Sequence, residues 1–171
     1  MEKAAVLIQS FKQVSVDQST EQKRKFNFRY YVEDIVRSLS PKLKDEKIEI
    51  KINIADDIEI ESFPGAFSQI FSNLILNSLI HGFEESYEGI ISISAEFSMR
   101  NLNIQFQDNG KGIAPILIDK IYDPFLTTNK RAGPGLGLHI VYNIITQKLK
   151  GTIECSSKTR KGVTFQIVLP L

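Results

Sequence analysis

The sequence predicts a two-layer α/β sandwich, in which helices cover one face of a mixed, mostly antiparallel sheet. Four segments alternate apolar with polar residues, which is typical of half-buried strands; they span residues 48–54, 90–97, 102–108 and 163–169. Two further segments, beginning near residues 27 and 64, repeat apolar residues at helical spacing. Because each segment has an apolar face, the helices and the sheet are expected to bury those faces against each other.

Length and composition indicate one globular domain with at most a short appendage. The chain has 171 residues, of which 42% are hydrophobic and 24% charged, as in ordinary soluble proteins. The net charge of +1 provides no basic surface for nucleic acid, so no nucleic-acid partner is expected. Cys155 is the only cysteine, which excludes an internal disulfide and fits a reducing compartment.

The expected location is the cytoplasm, without direct membrane contact by this chain. No apolar run is long enough to cross a bilayer, and the first residues do not resemble a signal peptide. The chain could still be the cytosolic part of a larger, membrane-anchored protein.

Residues 1–25 are predicted to be an appendage to a domain over residues 26–171. Residues 4–14 are amphipathic but too short for an independently stable helix, and residues 15–25 are polar and predicted to be a linker. We expect the short amphipathic segment to belong to a helical element that lies mostly outside this chain.

The domain is predicted to begin with a helix that Asn27 caps and Pro41 ends. After the strand over 48–54, Asp56 and Asp57 form a turn into a short strand over 58–62. Ser62 and Pro64 are expected to open a long helix. The strands over 90–97 and 102–108 form a hairpin, a helix covers 137–149, and strands near 152–156 and 163–169 close the chain.

A carboxylate facing the core ends the strand over 102–108. Asp108 continues the period-two series to which Phe106 belongs, so both side chains lie on one face. A buried carboxylate needs a hydrogen-bond donor, because burying an unpaired charge is costly. Gly110 and Gly112 follow, which allow the backbone to lie close to a bound group. The alternative is a simple Asx turn after a strand.

The long helix combines a core-facing stripe with a row of polar residues along its edge. The stripe consists of Phe67, Ile70, Phe71, Leu74 and Ser78. Asn73, Asn77 and His81 are spaced four residues apart and therefore line up beside it. A side-chain amide oxygen suits Mg²⁺, and His81 could contact phosphate or simply end the helix. Alternatively, both asparagines only hydrogen-bond to neighbouring backbone.

A glycine-rich turn leads directly into the helix predicted over 137–149. Backbone amides at such a helix start favour an anion such as phosphate. Residues 114–135, which precede the helix, show little regular patterning, and loops of this length commonly act as lids. Within the loop, Tyr122 and Phe125 provide aromatic anchors. Hydroxyls and positive charge come from Thr127, Thr128, Lys130 and Arg131, for which a solvated charge cluster is the alternative.

Taken together, four motifs resemble the N, G1, F and G2 boxes of the ATP-binding domain of sensor histidine kinases. They are Asn73-Leu74-Ile75-Leu76-Asn77, Asp108-Asn109-Gly110-Lys111-Gly112, Asp123-Pro124-Phe125 and Gly135-Leu136-Gly137-Leu138. The resemblance covers residues 26–171 and implies the Bergerat ATP-binding fold, shared with gyrase, the mismatch-repair MutL proteins and the large heat-shock chaperones. The F box and the Gly-Leu-Gly-Leu form are typical of histidine kinases in particular.

The resemblance implies a role for each motif in binding ATP and Mg²⁺. Asp108 would accept a hydrogen bond from the adenine amino group, and Gly110, Gly112 and Ile113 belong to the same adenine-side motif. Asn77 would hold Mg²⁺ with the help of Asn73, which assigns both to catalysis, and His81 would lie near the phosphates. Phe125 would anchor a lid that contains Tyr122, Thr127 and Thr128. The triphosphate would contact Gly135, Leu136, Gly137 and Leu138, with Lys130 or Arg131 at the γ-phosphate.

One position departs from the family pattern. Relatives often have serine or threonine directly after the last glycine, but here Val163 follows Gly162 and Thr164 comes one residue later. Alternation along a strand sends Thr164 to the face opposite Val163, so its implied contact with adenine is in question.

The implied reaction transfers the γ-phosphoryl group of MgATP to an acceptor histidine. We do not expect this chain to contain that acceptor. His81 belongs to the N box and His139 to the G2 helix, so the acceptor would lie on a dimerisation domain outside the chain. A response regulator would act downstream, and the chain would be monomeric within a homodimeric kinase.

One alternative function is that of an ATPase clamp, which needs a glutamate where Asn73 stands. The other is a nucleotide-binding module without transfer activity, which Val163 slightly favours.

Overall fold

The computed structural model describes residue 17 and residues 22–44, 46–83, 88–127 and 134–171. The amphipathic segment predicted over residues 4–14 lies outside the described residues, as does most of the predicted linker. Within the described ranges, no helix has the length and apolar character that a bilayer crossing requires.

The described residues form seven strands and five helices. The strands are β1 (Arg24–Asn27), β2 (Ile48–Ile54), β3 (Glu59–Ser62), β4 (Gly89–Ser98), β5 (Asn101–Asp108), β6 (Thr152–Ser157) and β7 (Val163–Pro170). The helices are α1 (Phe28–Ser38), α2 (Ser40–Leu43), α3 (Pro64–Asn77), α4 (Pro115–Ile118) and α5 (Gly137–Asn143). Helices α3 and α5 each continue into a π-helical turn, over Ser78–Gly82 and Ile144–Lys148.

The main sheet has the strand order β2-β4-β5-β7-β6, and β1 pairs with β3 in a separate two-stranded sheet. Strands β2 and β4 are parallel, whereas the other neighbours in the main sheet are antiparallel. The predicted mixed, mostly antiparallel sheet is therefore confirmed. Because β5 lies between β4 and β7, its last residue, Asp108, is placed at the centre of one end of the sheet.

The core lies between one face of the main sheet and the helices. On β5, Phe106 is fully buried, while its neighbour Gln105 on the opposite face is half-buried and Gln107 is exposed. Phe67 on α3 is fully buried and packs against Phe28, with ring centroids 5.3 Å apart. The whole predicted stripe of α3, including Ser78, is buried, which confirms the two-layer arrangement.

Strand β1 was not predicted, although it overlaps the expected linker. Lys25 pairs with Glu61 of β3, so this strand includes the last two residues of the expected linker. Phe26 is buried and packs edge-on against Tyr31, with ring centroids 5.1 Å apart. Four residues are too few to show a recognisable alternation, which explains the omission.

The predicted helix boundaries are confirmed in part. Asn27 caps α1, because its side-chain oxygen accepts a hydrogen bond from the Tyr30 backbone N–H at 3.0 Å. Helix α1 ends at Ser38, and Pro41 lies in the first turn of the short α2 that follows. Ser62 does not cap α3, since it belongs to β3, and the cap residue Phe63 makes no side-chain hydrogen bond.

Gly162 is the position where a side chain would disturb the fold most directly. Its φ is +80°, and a Cβ atom would lie 1.8 Å from the Asp108 carbonyl oxygen. We expect Gly162→Ala to lower the free energy of unfolding by about 3 kcal/mol, through left-handed strain and steric overlap. Urea unfolding measures this, with Gly82→Ala as the control, because a Cβ there meets atoms no closer than 3.7 Å. Equal stability of the two variants would contradict the prediction.

Candidate functional site

A cavity of about 510 Å³ opens beside Asp108, between α3 and the segments that precede and begin α5. This volume is within the range of small-molecule sites. The predicted site residues that line it are Asn77, His81, Asp108, Gly112, Ile113, Thr127, Gly135, Gly137 and Leu138. The fold therefore brings the motifs of α3, the end of β5 and the glycine-rich turn to one cavity.

Asp108 is 3% exposed and accepts three hydrogen bonds from neutral donors. Its Oδ2 accepts from the Ser78 hydroxyl at 2.7 Å. Its Oδ1 accepts from the backbone N–H of Gly110 at 2.9 Å and of Val163 at 3.2 Å. The bond from Gly110 is that of an Asx turn, so this alternative describes the local geometry correctly. The same carboxylate also lines the cavity, which an isolated turn would not require.

The two asparagines of α3 lie against the start of α5. The Asn73 amide donates to the Gln69 carbonyl at 2.8 Å, so the backbone-bonding alternative holds for this residue. The Asn77 Nδ2 is buried and has no hydrogen-bond partner among the described residues. A Cβ on Gly137 would lie 3.1 Å from Asn73 Oδ1 and 3.4 Å from Asn77 Oδ1. Glycine at this position therefore leaves both amides room beside the helix start.

The side-chain amide oxygens of these asparagines are possible ligands for Mg²⁺. Mg²⁺ prefers oxygen ligands and is commonly bound by one or two protein groups together with substrate phosphates. Within the described ranges, no group of three or more His, Cys, Asp or Glu is arranged to hold a metal ion. Asn77 lines the cavity, and its side-chain oxygen is a ligand of the kind that Mg²⁺ prefers, so Asn77 could hold the ion beside a triphosphate.

His81 lines the cavity one helical turn beyond Asn77. Partial burial lowers the pKa of its imidazole, and the positive charge of Lys111 lowers it further. The ring is therefore neutral at pH 7. It offers the cavity a hydrogen-bonding group rather than a positive charge.

Several predicted site residues lie elsewhere. Phe125 is 72% exposed with a φ of +66°, and its role as an anchor stays a prediction. Tyr122 packs instead, with its ring centroid 4.9 Å from that of Tyr142. Leu136 precedes α5 and accepts a hydrogen bond from Ile140 through its carbonyl. Thr128, Lys130 and Arg131 lie outside the described residues.

Thr164 is not placed with the other site residues. It pairs with Gln107 on the outer face of the sheet, whereas Val163 is buried and lines the cavity. Strand alternation causes this separation, as the sequence suggested. The implied contact between the Thr164 hydroxyl and adenine is therefore not supported.

The sequence did not single out the pairing of Ser78 with Asp108 or the cavity wall formed by Thr159 and Arg160. A serine within an apolar stripe is a signal for the first, because a buried hydroxyl needs a partner. The second depends on the β6–β7 hairpin, where the Arg160 backbone N–H donates to the Lys111 carbonyl at 2.6 Å. No local pattern in the sequence predicts this long-range contact.

Cys155 lies near the site but is not a nucleophile. Burial, together with the nearby charge of Asp108, raises the pKa of its thiol to about 12. The thiol is therefore protonated and unreactive at neutral pH.

A second cavity, of about 740 Å³, lies at the opposite end of the sheet. Its lining includes the carboxylates of Asp56, Asp57, Glu59 and Glu96. Negative charge of this kind repels a triphosphate. The cavity beside Asp108 is therefore the better candidate for a nucleotide.

Comparison with known proteins agrees with this fold. Residues 64–171 match the family described as histidine kinase-, DNA gyrase B-, and HSP90-like ATPase, and the chain belongs to this family. Its fold matches the catalytic domain of histidine kinase ThkA with a TM-score of 0.76 and 26% identity, covering 87% of this chain and 95% of that one. The resemblance to the ATP-binding catalytic domain of sensor histidine kinases is thereby confirmed.

Curated relatives are longer sensor kinases. Sensor histidine kinase ZraS of Escherichia coli K12 is 36% identical over 134 residues, which are 78% of this chain and 28% of ZraS. A probable C4-dicarboxylate sensor kinase of Bacillus subtilis is 32% identical over 169 residues, which are 93% of this chain and 31% of the relative. The chain thus spans less than a third of these relatives.

Proposed function

We propose that this chain binds MgATP and transfers its γ-phosphoryl group to a histidine on a dimerisation domain outside the chain. The terminal phosphorus–oxygen bond of ATP breaks, a phosphorus–nitrogen bond forms on the imidazole, and ADP and a proton are released. Catalysis of this kind depends mainly on positioning and on neutralising charge.

The observation that carries the proposal is the arrangement of one buried acceptor and one side-chain amide, that of Asn77, around a single cavity. Asp108 offers a buried acceptor to the adenine amino group, and Gly112 and Ile113 line the same cavity. Asn77 and Gly137 also line the cavity, and Asn73 Oδ1 lies 3.1 Å from the Cβ position of Gly137. A purine and a charged tail need these two different environments.

Mg²⁺, when bound, would neutralise charge on the phosphates, and Asn77 is the residue that would hold it. The backbone amides of Gly135, Leu136, Gly137 and Leu138 would bind the phosphates. His81 would contribute a neutral hydrogen bond, and Thr127 a hydroxyl, since both line the cavity. Roles for Thr128, Lys130 and Arg131 remain predictions from the sequence.

An ATPase clamp is less well supported. Water activation in such enzymes needs a base, but Asn73 has an amide that cannot accept a proton, and its nitrogen already donates to the Gln69 carbonyl.

The partners that we propose are the dimerisation domain of the same kinase and a response regulator. Related ThkA has been solved in complex with the response regulator protein TrrA. We further propose a cytoplasmic location and a homodimeric parent kinase.

A phosphotransfer assay tests the proposal. We expect labelled ATP, this chain and the separately supplied dimerisation domain to give acid-labile phosphohistidine. A dimerisation domain whose histidine is replaced by glutamine is the matched control and should stay unlabelled. Steady phosphate release without a protein acceptor would instead favour the clamp, and binding without transfer would favour a non-catalytic module.

A further inference from the structure

His139 follows the residues of α5 that line the cavity, and its ring connects two parts of the cavity wall. Its Nδ1 lies 2.9 Å from the Tyr122 carbonyl oxygen, and its Nε2 lies 3.0 Å from the Asn143 side-chain nitrogen. Tyr122 begins the segment that leads to the cavity-lining Leu126 and Thr127. The ring therefore joins this segment to the helix that carries Gly137 and Leu138.

The hydrogen bonds to the two neighbours of the ring require one particular tautomer. A carbonyl oxygen can only accept, so Nδ1 must carry the hydrogen that is donated to Tyr122. The Asn143 amide nitrogen can only donate, so Nε2 must be the unprotonated acceptor. Both hydrogen bonds form together only when the ring is neutral and in the Nδ1–H tautomer.

Two further contacts join the same parts of the chain. The Phe125 backbone N–H donates to the Gly135 carbonyl at 3.1 Å. The rings of Tyr122 and Tyr142 pack with their centroids 4.9 Å apart. These contacts bring Tyr122 beside α5, and the imidazole fixes the position of its carbonyl group.

We infer that His139 is a positioning residue that sets the distance between the Leu126–Thr127 wall and the start of α5, and thereby nucleotide affinity. The inference rests on the proposed function, because it concerns the site for MgATP. His139 acts through Tyr122 and does not itself line the cavity. Any side chain that donates from the Nδ1 position should therefore replace it.

Three variants of the full chain test the inference. In His139→Asn, the asparagine Nδ2 takes the place of the imidazole Nδ1 and can donate the same hydrogen bond. Affinity for a magnesium-bound, non-hydrolysable ATP analogue should therefore stay within about threefold of wild type. His139→Asp has the same shape but places an acceptor against the Tyr122 carbonyl. It should bind about tenfold more weakly, the loss expected for one hydrogen bond. A similar loss in both variants would overturn the inference.

Nitrogen NMR of the imidazole provides a readout that needs no nucleotide. In the wild type, Nδ1 should show the shift of a protonated nitrogen and Nε2 that of an unprotonated one. Asn143→Asp presents an acceptor to Nε2, so this nitrogen should become protonated while affinity stays within about threefold of wild type. The opposite tautomer in the wild type would overturn the inference. A wild type that shows this tautomer but binds no nucleotide would refute the proposed function instead.

Discussion

Asp108→Asn is expected to weaken ATP binding about 100-fold, the change for one hydrogen bond to a charged group. The asparagine oxygen can still accept from Gly110 and Val163, and its amide can donate to the Ser78 hydroxyl, so the fold should persist. That amide would then face the adenine amino group with a donor instead of an acceptor. Calorimetry measures the affinity, and an unchanged value would refute the assignment of Asp108.

Two controls distinguish the loss of the hydrogen-bond acceptor from a general disturbance of the cavity. Ser78→Ala removes one donor to the carboxylate at 2.7 Å but leaves the acceptor in place, so ATP affinity should change much less. Inosine triphosphate carries a carbonyl where ATP carries the amino group. Asp108→Asn should therefore narrow the preference for ATP over inosine triphosphate, which a general disturbance of the cavity would not do.

Asn77→Asp is expected to lower phosphotransfer about 100-fold, as when one group that stabilises developing charge is removed. The change replaces a neutral amide with a negative charge beside the proposed phosphate site. The Asn77 Nδ2, which has no partner within the described residues, would also be lost as a donor to phosphate. Transfer rates measured across magnesium concentrations test this expectation.

Asn53→Asp is the matched control for this change. Asn53 is exposed on β2, and its strand partner is Ser94, so the same chemical replacement there should leave transfer unaffected. Wild-type rates for Asn77→Asp at limiting magnesium would count against a metal-holding role.

Patterns of period two and 3.6 predicted most of the fold. The hairpin of β4 and β5, the stripe of α3 from Phe67 to Ser78, and the face of β7 that includes Val163 all follow from local alternation. The order of the strands does not, because the parallel pairing of β2 with β4 joins segments far apart in the chain. The π-helical turn over Ser78–Gly82 was also beyond prediction, since its residues fit an α-helix equally well.

Some residues of the candidate site could likewise be predicted from the sequence, and others could not. Asp108, Asn77 and Gly137 were predictable because each belongs to a short motif with its own chemistry. The outward position of Phe125 was not, because an aromatic residue in a loop gives no indication of what covers it. The contribution of Arg160 depends on a hairpin that only the folded chain brings to the cavity.

The close approach of Gly137 to the amides of α3 restricts how this chain can evolve. A Cβ atom at position 137 would lie 3.1 Å from Asn73 Oδ1, tighter than an ordinary contact, and would touch Asn77 Oδ1 at 3.4 Å. Substitutions at these three positions are therefore coupled, and their energetic effects should not add. A side chain at position 137 should therefore be tolerated better where Asn73 is replaced by a shorter residue.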